Sequence, residues 1–96
     1  MGILYSMKKS IRIPKKLMGK KLEGEWVFLN LENGEYYGLN ETGSLVWDSL
    51  VKNKNLEAIL ESLKKKFQVE ESRLEREVKE FLVDLQKEGL IEVRDN

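Results

Sequence analysis

The spacing of apolar residues changes character twice along this chain, and each change marks a boundary between kinds of structure. Ser10-Ile11-Arg12-Ile13 alternates polar and apolar side chains as a short strand does, and Pro14 ends it or confines it to an edge. Lys20 to Glu25 is polar and contains Gly24, which predicts a turn with at most a short strand. Trp26 to Leu31 is then almost wholly apolar, and Glu35 to Leu39 forms a second short run after Asn33-Gly34. An Asn-Gly pair between two such runs predicts a hairpin with a two-residue type I′ loop, because both loop residues need positive φ. In that register Leu31 faces Tyr36, Asn30 faces Tyr37, Leu29 faces Gly38 and Phe28 faces Leu39. Val27, Leu29, Leu31 and Tyr36 share one face of the hairpin, and Trp26, Phe28, Tyr37 and Leu39 share the other.

From Asn40 onward the apolar spacing becomes helical. A first helix begins near Asn40 or Thr42, either of which can cap free N–H groups, and runs to about Val51 with Leu45, Val46, Trp47 and Leu50 inward. Lys52-Asn53-Lys54 reads as a loop and Asn55 as the N-cap of a second helix. There Leu56, Ile59, Leu60, Leu63 and Phe67 follow the i, i+3, i+4, i+7 rule. A third helix starts near Glu70–Ser72, carries Leu74, Val78, Phe81 and Leu85 as its inner stripe, and stops before Gly89, a C′ residue. Leu90 to Val93 can add a last short strand. The predicted class is α+β: a small antiparallel sheet of about three strands followed by three helices, arranged as in a winged helix-turn-helix.

With 96 residues the chain is a single domain, and 41% apolar with 35% charged residues is an ordinary globular composition. No apolar run approaches the roughly 20 residues that span a bilayer, and Met1–Ser10 is too short and wrongly ordered for a signal peptide, so a cytoplasmic protein is expected. The absence of cysteine and histidine removes disulfides, thiolate nucleophiles, imidazole bases and nearly every structural zinc site. Gly34, Gly38 and Gly43 lack the spacing of a phosphate loop. No enzyme, metal or cofactor is expected on these grounds.

Charge narrows the classes further. Seven basic residues and no acid fall in residues 1–21, leaving the rest net −7. Residues 1–21 therefore read as a basic arm able to supply a first strand, and residues 22–96 as the domain proper. The fold invites a nucleic-acid reading, but residues 70–88 hold seven acids against four bases, a poor match to a phosphate backbone. The Lys64-Lys65-Lys66 cluster and the arm keep nucleic acid as the alternative.

A peptide fits better. In so small a sheet the Glu35–Leu39 strand is expected at an edge, where unpaired N–H and C=O groups can accept another strand. On a helical wheel, Glu75, Lys79, Leu82 and Gln86 form a flank of the third helix beside its core stripe. If that flank borders the edge, a groove results. Its backbone comes from Glu35, Tyr36, Tyr37, Gly38 and Leu39, its side-chain pockets from Tyr36, Tyr37, Val78 and Leu82, and its charged rim from Glu75 and Lys79. Gly38 suits a close backbone approach. Trp26, Trp47, Phe67 and Phe81 are assigned to the core. A weak dimer through two paired edges is the remaining assembly open to the chain.

The stretch Tyr37-Gly38-Leu39-Asn40-Glu41-Thr42-Gly43-Ser44, followed by Val46-Trp47 and preceded by a strand and an Asn-Gly turn, resembles the PqqD family. So does the later pattern of Val78, Phe81-Leu82, Leu85 and Gly89-Leu90-Ile91, and the likeness spans roughly residues 22–93. It implies a recognition element for ribosomally made, modified peptides, non-catalytic and winged-helix-like. Such an element binds the leader of a precursor as an added strand between the Glu35–Leu39 strand and the third helix. The partner it implies is a modifying enzyme or leader peptidase, as in a lasso-peptide pathway or one like that of pyrroloquinoline quinone. The lysine-rich residues 8–21 and the length favour the lasso group.

Overall fold

The computed structural model describes residues 10–53 and 55–94. The elements run β1 (Ser10–Arg12), β2 (Leu17–Leu22), β3 (Glu25–Asn30), β4 (Tyr36–Gly38), α1 (Glu41–Asn53), α2 (Leu56–Lys64), α3 (Glu71–Lys87) and β5 (Glu92–Arg94). They form a three-stranded antiparallel sheet in the order β2-β3-β4, a two-stranded sheet of β1 with β5, and three helices. This is the expected α+β, winged-helix-like arrangement. Lys8, Lys9 and Lys54, expected in the basic arm and the inter-helix loop, lie outside the described residues.

The first difference from expectation is β2. Residues 10–21 supply β1 and most of β2, and β2 pairs along its whole length with β3, from Leu17 opposite Asn30 to Leu22 opposite Glu25. It escaped the sequence pattern because five of its six residues are exposed and its glycine and two lysines carry no strand signal. Gly19 has a packing reason instead: a Cβ there would sit 2.9 Å from the Phe28 ring and 3.2 Å from that of Trp26. The missing side chain lets those two rings, stacked at 5.7 Å, lie over the strand.

The second difference is the turns. The two-residue loop with positive φ at both positions is Glu23-Gly24, at 50° and 84°, joining β2 to β3. Between β3 and β4 only Gly34 has positive φ, and the pairing is Val27 with Gly38, Phe28 with Tyr37, and Leu29 with Tyr36. The expected register is corrected by two residues, and the loop lengthens to Leu31–Gly34. The cause is Asn30, which is 4% exposed: its Oδ1 accepts from the N–H of Glu32 (2.8 Å) and of Asn33 (3.3 Å). That side chain organises a wider turn than a type I′ pair allows. A shift of two keeps the faces intact, since side chains alternate with period two. Trp26, Phe28 and Tyr37 still share the inner face.

That face rests on α1. The ring of Phe28 meets Trp47 at 4.5 Å, the Trp26 indole N–H donates to Asp48 Oδ1 at 2.8 Å, and the Trp26 backbone N–H donates to the buried hydroxyl of Ser44 at 2.9 Å. Partial burial would raise the Asp48 carboxyl, but hydrogen bonds from Lys21 and Trp26 outweigh it and hold the carboxyl below its ordinary value. Asn40 caps α1, its Oδ1 accepting from Gly43 N–H at 2.8 Å, and the helix continues through Lys52 and Asn53, which were expected as loop. Asn55 caps α2 by accepting from Ala58 N–H at 2.9 Å. Gly89, with φ +78°, turns the chain out of α3 so that Leu90 and Ile91 enter the core. Fifteen apolar residues from β1, β3, all three helices and this last segment form one cluster.

Candidate functional site

Among the described residues β4 is an edge strand, paired with β3 alone in its sheet. Its neighbours on the ladder fix which groups it leaves open. Leu39 N–H donates to the Trp26 carbonyl (2.9 Å), and Asn30 N–H donates to the Glu35 carbonyl (2.9 Å). Hydrogen-bonded pairs alternate in an antiparallel ladder, so residues 35, 37 and 39 are turned toward β3. Tyr36 and Gly38 therefore present their N–H and C=O groups outward, two donors and two acceptors along the free edge. Nothing lies within 4 Å of a Cβ built on Gly38, so no packing inside the molecule requires that glycine.

Past the end of β4 the chain enters α1 through Leu39 and Asn40 alone, which seats the α1 N-terminus close to the edge. An apolar cavity of about 320 Å³ opens there, lined by Asn40, Thr42, Gly43 and Val46 of this segment, Phe67 and Val69, and Leu74, Glu77, Val78 and Phe81 of α3. Gly43 sits at its wall: a Cβ at that position would meet the Phe81 ring at an ordinary 3.4 Å but crowd the capping Oδ1 of Asn40 at 3.2 Å. At the other end of β4, the half-buried Tyr37 hydroxyl donates to Glu35 Oε1 at 3.1 Å and also meets the Glu88 carboxylate at the end of α3. Its ionisation is pushed up to about 12, first by removal from water, then by hydrogen bonding to both carboxylates and their charge.

On α3, Leu74, Glu77, Val78 and Phe81 reach the cavity beside α1 and Glu88 reaches Tyr37 of β4, with Asp84 on the same helical line as Glu77, Phe81 and Glu88. Glu75, Lys79, Leu82 and Gln86 lie nearly opposite, roughly 160° round the helix at 100° per residue. Leu82 is fully buried and replaces Phe81 in the inner stripe, while Phe81 is only half-buried. Glu75 and Lys79 pair with each other at 2.9 Å. Of the helical residues expected at the groove, Val78 alone lines the cavity. On the strand, Tyr36 is 72% exposed, Glu35 and Gly38 are exposed, and Leu39 is half-buried.

The wheel could not decide between the two flanks, since each sits beside the same core stripe. One signal was present: Phe81 is the lone aromatic residue of α3 and stands at the margin of the stripe, opposite a small residue, Gly43, at the start of α1. Among the described residues, several of the bases are paired with acids. Lys64 is held by Glu61 (3.1 Å) and Glu71 (2.9 Å), Lys21 by Asp48 (2.6 Å), and Arg12 by Glu92 (2.6 Å).

Fold and site together define a class, the winged-helix-like α+β domain whose free strand edge adjoins an apolar cavity under its third helix. Within that class the chain belongs to the PqqD family, its residues 25–91 matching the family model of coenzyme PQQ synthesis protein D. Among solved structures it is similar to TbiB1 in complex with the TbiA(beta) leader peptide, at 30% identity and a TM-score of 0.79 over 84% of this chain and 94% of that one. It also shares its fold with a lasso peptide synthetase B1 complexed with the leader peptide, at 22% identity and a TM-score of 0.77 over 86% and 98% of the two chains. A comparison with curated protein sequences gave no match. No helix among the described residues is long and apolar enough to cross a membrane.

Proposed function

We propose that this protein binds the leader of a ribosomally made precursor peptide as an added strand on β4 and presents it to the enzyme that modifies or cleaves it. The observation that carries the reading is the free edge at Tyr36 and Gly38, with an apolar cavity whose lining begins at Asn40, two residues past the end of β4. An added strand gains affinity from backbone hydrogen bonds and specificity from alternate side chains. Those facing inward run along Tyr37 and α3, where the cavity bounded by Phe67, Val78 and Phe81 takes an apolar side chain. Leader complexes of similar structures support the reading. The protein's own part is non-catalytic: without histidine or cysteine it offers few groups for chemistry and a well-formed surface for capture.

Gly38→Pro tests this directly, because it removes one outward N–H and leaves the bonds to β3 in place. Binding of a candidate precursor leader peptide that the wild-type protein binds should weaken about tenfold, the equivalent of one hydrogen bond of about 1.4 kcal/mol. In labelled wild-type protein, the same peptide should shift amides of residues 36–43 and 77–88. Shifts confined to residues 10–21, or none, would reject the proposal.

A further inference from the structure

The inner face of the three-stranded sheet is covered by α1, but no element among the described residues covers its outer face. Reading the register across the strands, Met18, Leu29 and Tyr36 stand in one row, Lys20, Val27 and Gly38 in the next, and Leu22 with Glu25 in a third on the same face. Met18 is 58% exposed, Leu22 50% and Tyr36 72%, with Leu31 at 55% in the adjoining turn. Four of the six large apolar side chains most exposed among the described residues thus gather on one side of the sheet. Clustered exposure of this kind marks an interaction surface more often than scattered single residues do.

We propose that this outer face docks the enzyme that acts on the bound precursor, an inference that rests on the leader-binding reading above. Two features select that occupant. The first is area. Three strands about 4.8 Å apart, with about six residues at 3.3 Å each, give a projected face of about 300 Å². A stable interface takes about 800 Å² from each partner, so two bare faces set together fall well short, whereas a partner that also covers the added leader strand and the flanking edge gains the remainder. The second is continuity. Tyr36 belongs both to this row and to the free edge, and a leader added at β4 becomes the fourth strand of the sheet. Its alternate side chains then extend the row beyond Tyr36, and the leader leaves the edge beside it. A larger protein resting on the row covers the sheet and the emerging peptide together, which brings its catalytic groups to the substrate and favours the loaded state.

Met18→Glu and Leu22→Glu separate this inference from the reading it rests on. Both side chains are at least half exposed and stand on β2, two strands from the β4 edge. Each variant should bind the leader within twofold of wild type. Turnover of a precursor whose leader this protein binds, by its processing enzyme with this protein present, should fall at least tenfold in each glutamate variant and stay at the wild-type rate in Met18→Leu. Unchanged turnover overturns the inference and leaves leader binding intact. Loss of leader binding in the variants also overturns it, by placing the effect at the edge. A wild-type dimer in solution that Met18→Glu dissociates would overturn it in favour of a second copy. Failure of the wild-type protein to bind leader would instead strike the reading beneath.

Discussion

Single residues at the β4 edge do more than line a groove. Tyr37 is turned inward, and its hydroxyl ties the strand to both Glu35 and the end of α3. Its folded-state pKa, pushed up to about 12, lies above the ordinary tyrosine value of 10.0. The fold therefore favours the protonated phenol. That contribution is fully present below pH 10 and is lost as the pH rises through the folded value. Tyr37→Phe should remove the latest step from the phenolate absorbance titration. It should also flatten the decline of the denaturation midpoint between pH 10 and 12, relative to wild type. An unchanged late step would mean that the hydroxyl is not held by the carboxylates. The sequence placed Tyr37 on one face with Trp26 and Phe28 but could not show its partners, because Glu88 is remote in sequence and meets it only through the fold.

Elements were legible to the degree that their residues carry a periodic signal. α2 has one apolar residue at every inner position and an asparagine cap, and its start lies where the pattern put it. β4 was found, and so was its place at the edge. β2 was read as a turn because a strand that buries little shows no alternation to read. Its contribution is through what it lacks, the side chain at Gly19. Gly19→Ala should force the Trp26 and Phe28 rings to shift and cost about 1–3 kcal/mol of stability by overpacking. Denaturant unfolding measures this, and a loss under 0.5 kcal/mol would show that the rings yield freely. The β3–β4 register was missed for a different reason: the Asn-Gly pair is a true turn signal, but Asn30, four residues before Gly34, competes through its side chain and wins.

For the whole molecule, the class, the order of helices and the edge were all readable, whereas the side of α3 that faces the edge was not. Helical periodicity defines a stripe and two flanks but gives no hand to their neighbours; that hand came from the two-residue link between β4 and α1 and from the Gly43–Phe81 contact. The pairing of β1 with β5 has a consequence at this scale. Ser10 stands opposite Arg94, so the first and last described residues lie within about 5 Å of each other, as in any antiparallel pair. Closely spaced ends make a domain portable. Spliced through short flexible linkers into a surface loop of a carrier protein, residues 10–94 should melt within about 5 °C of the free domain, a shift worth about 1 kcal/mol at this size. The same joint allows a chain of this design to be carried inside a larger polypeptide, riding on an enzyme as a module grafted at a single point.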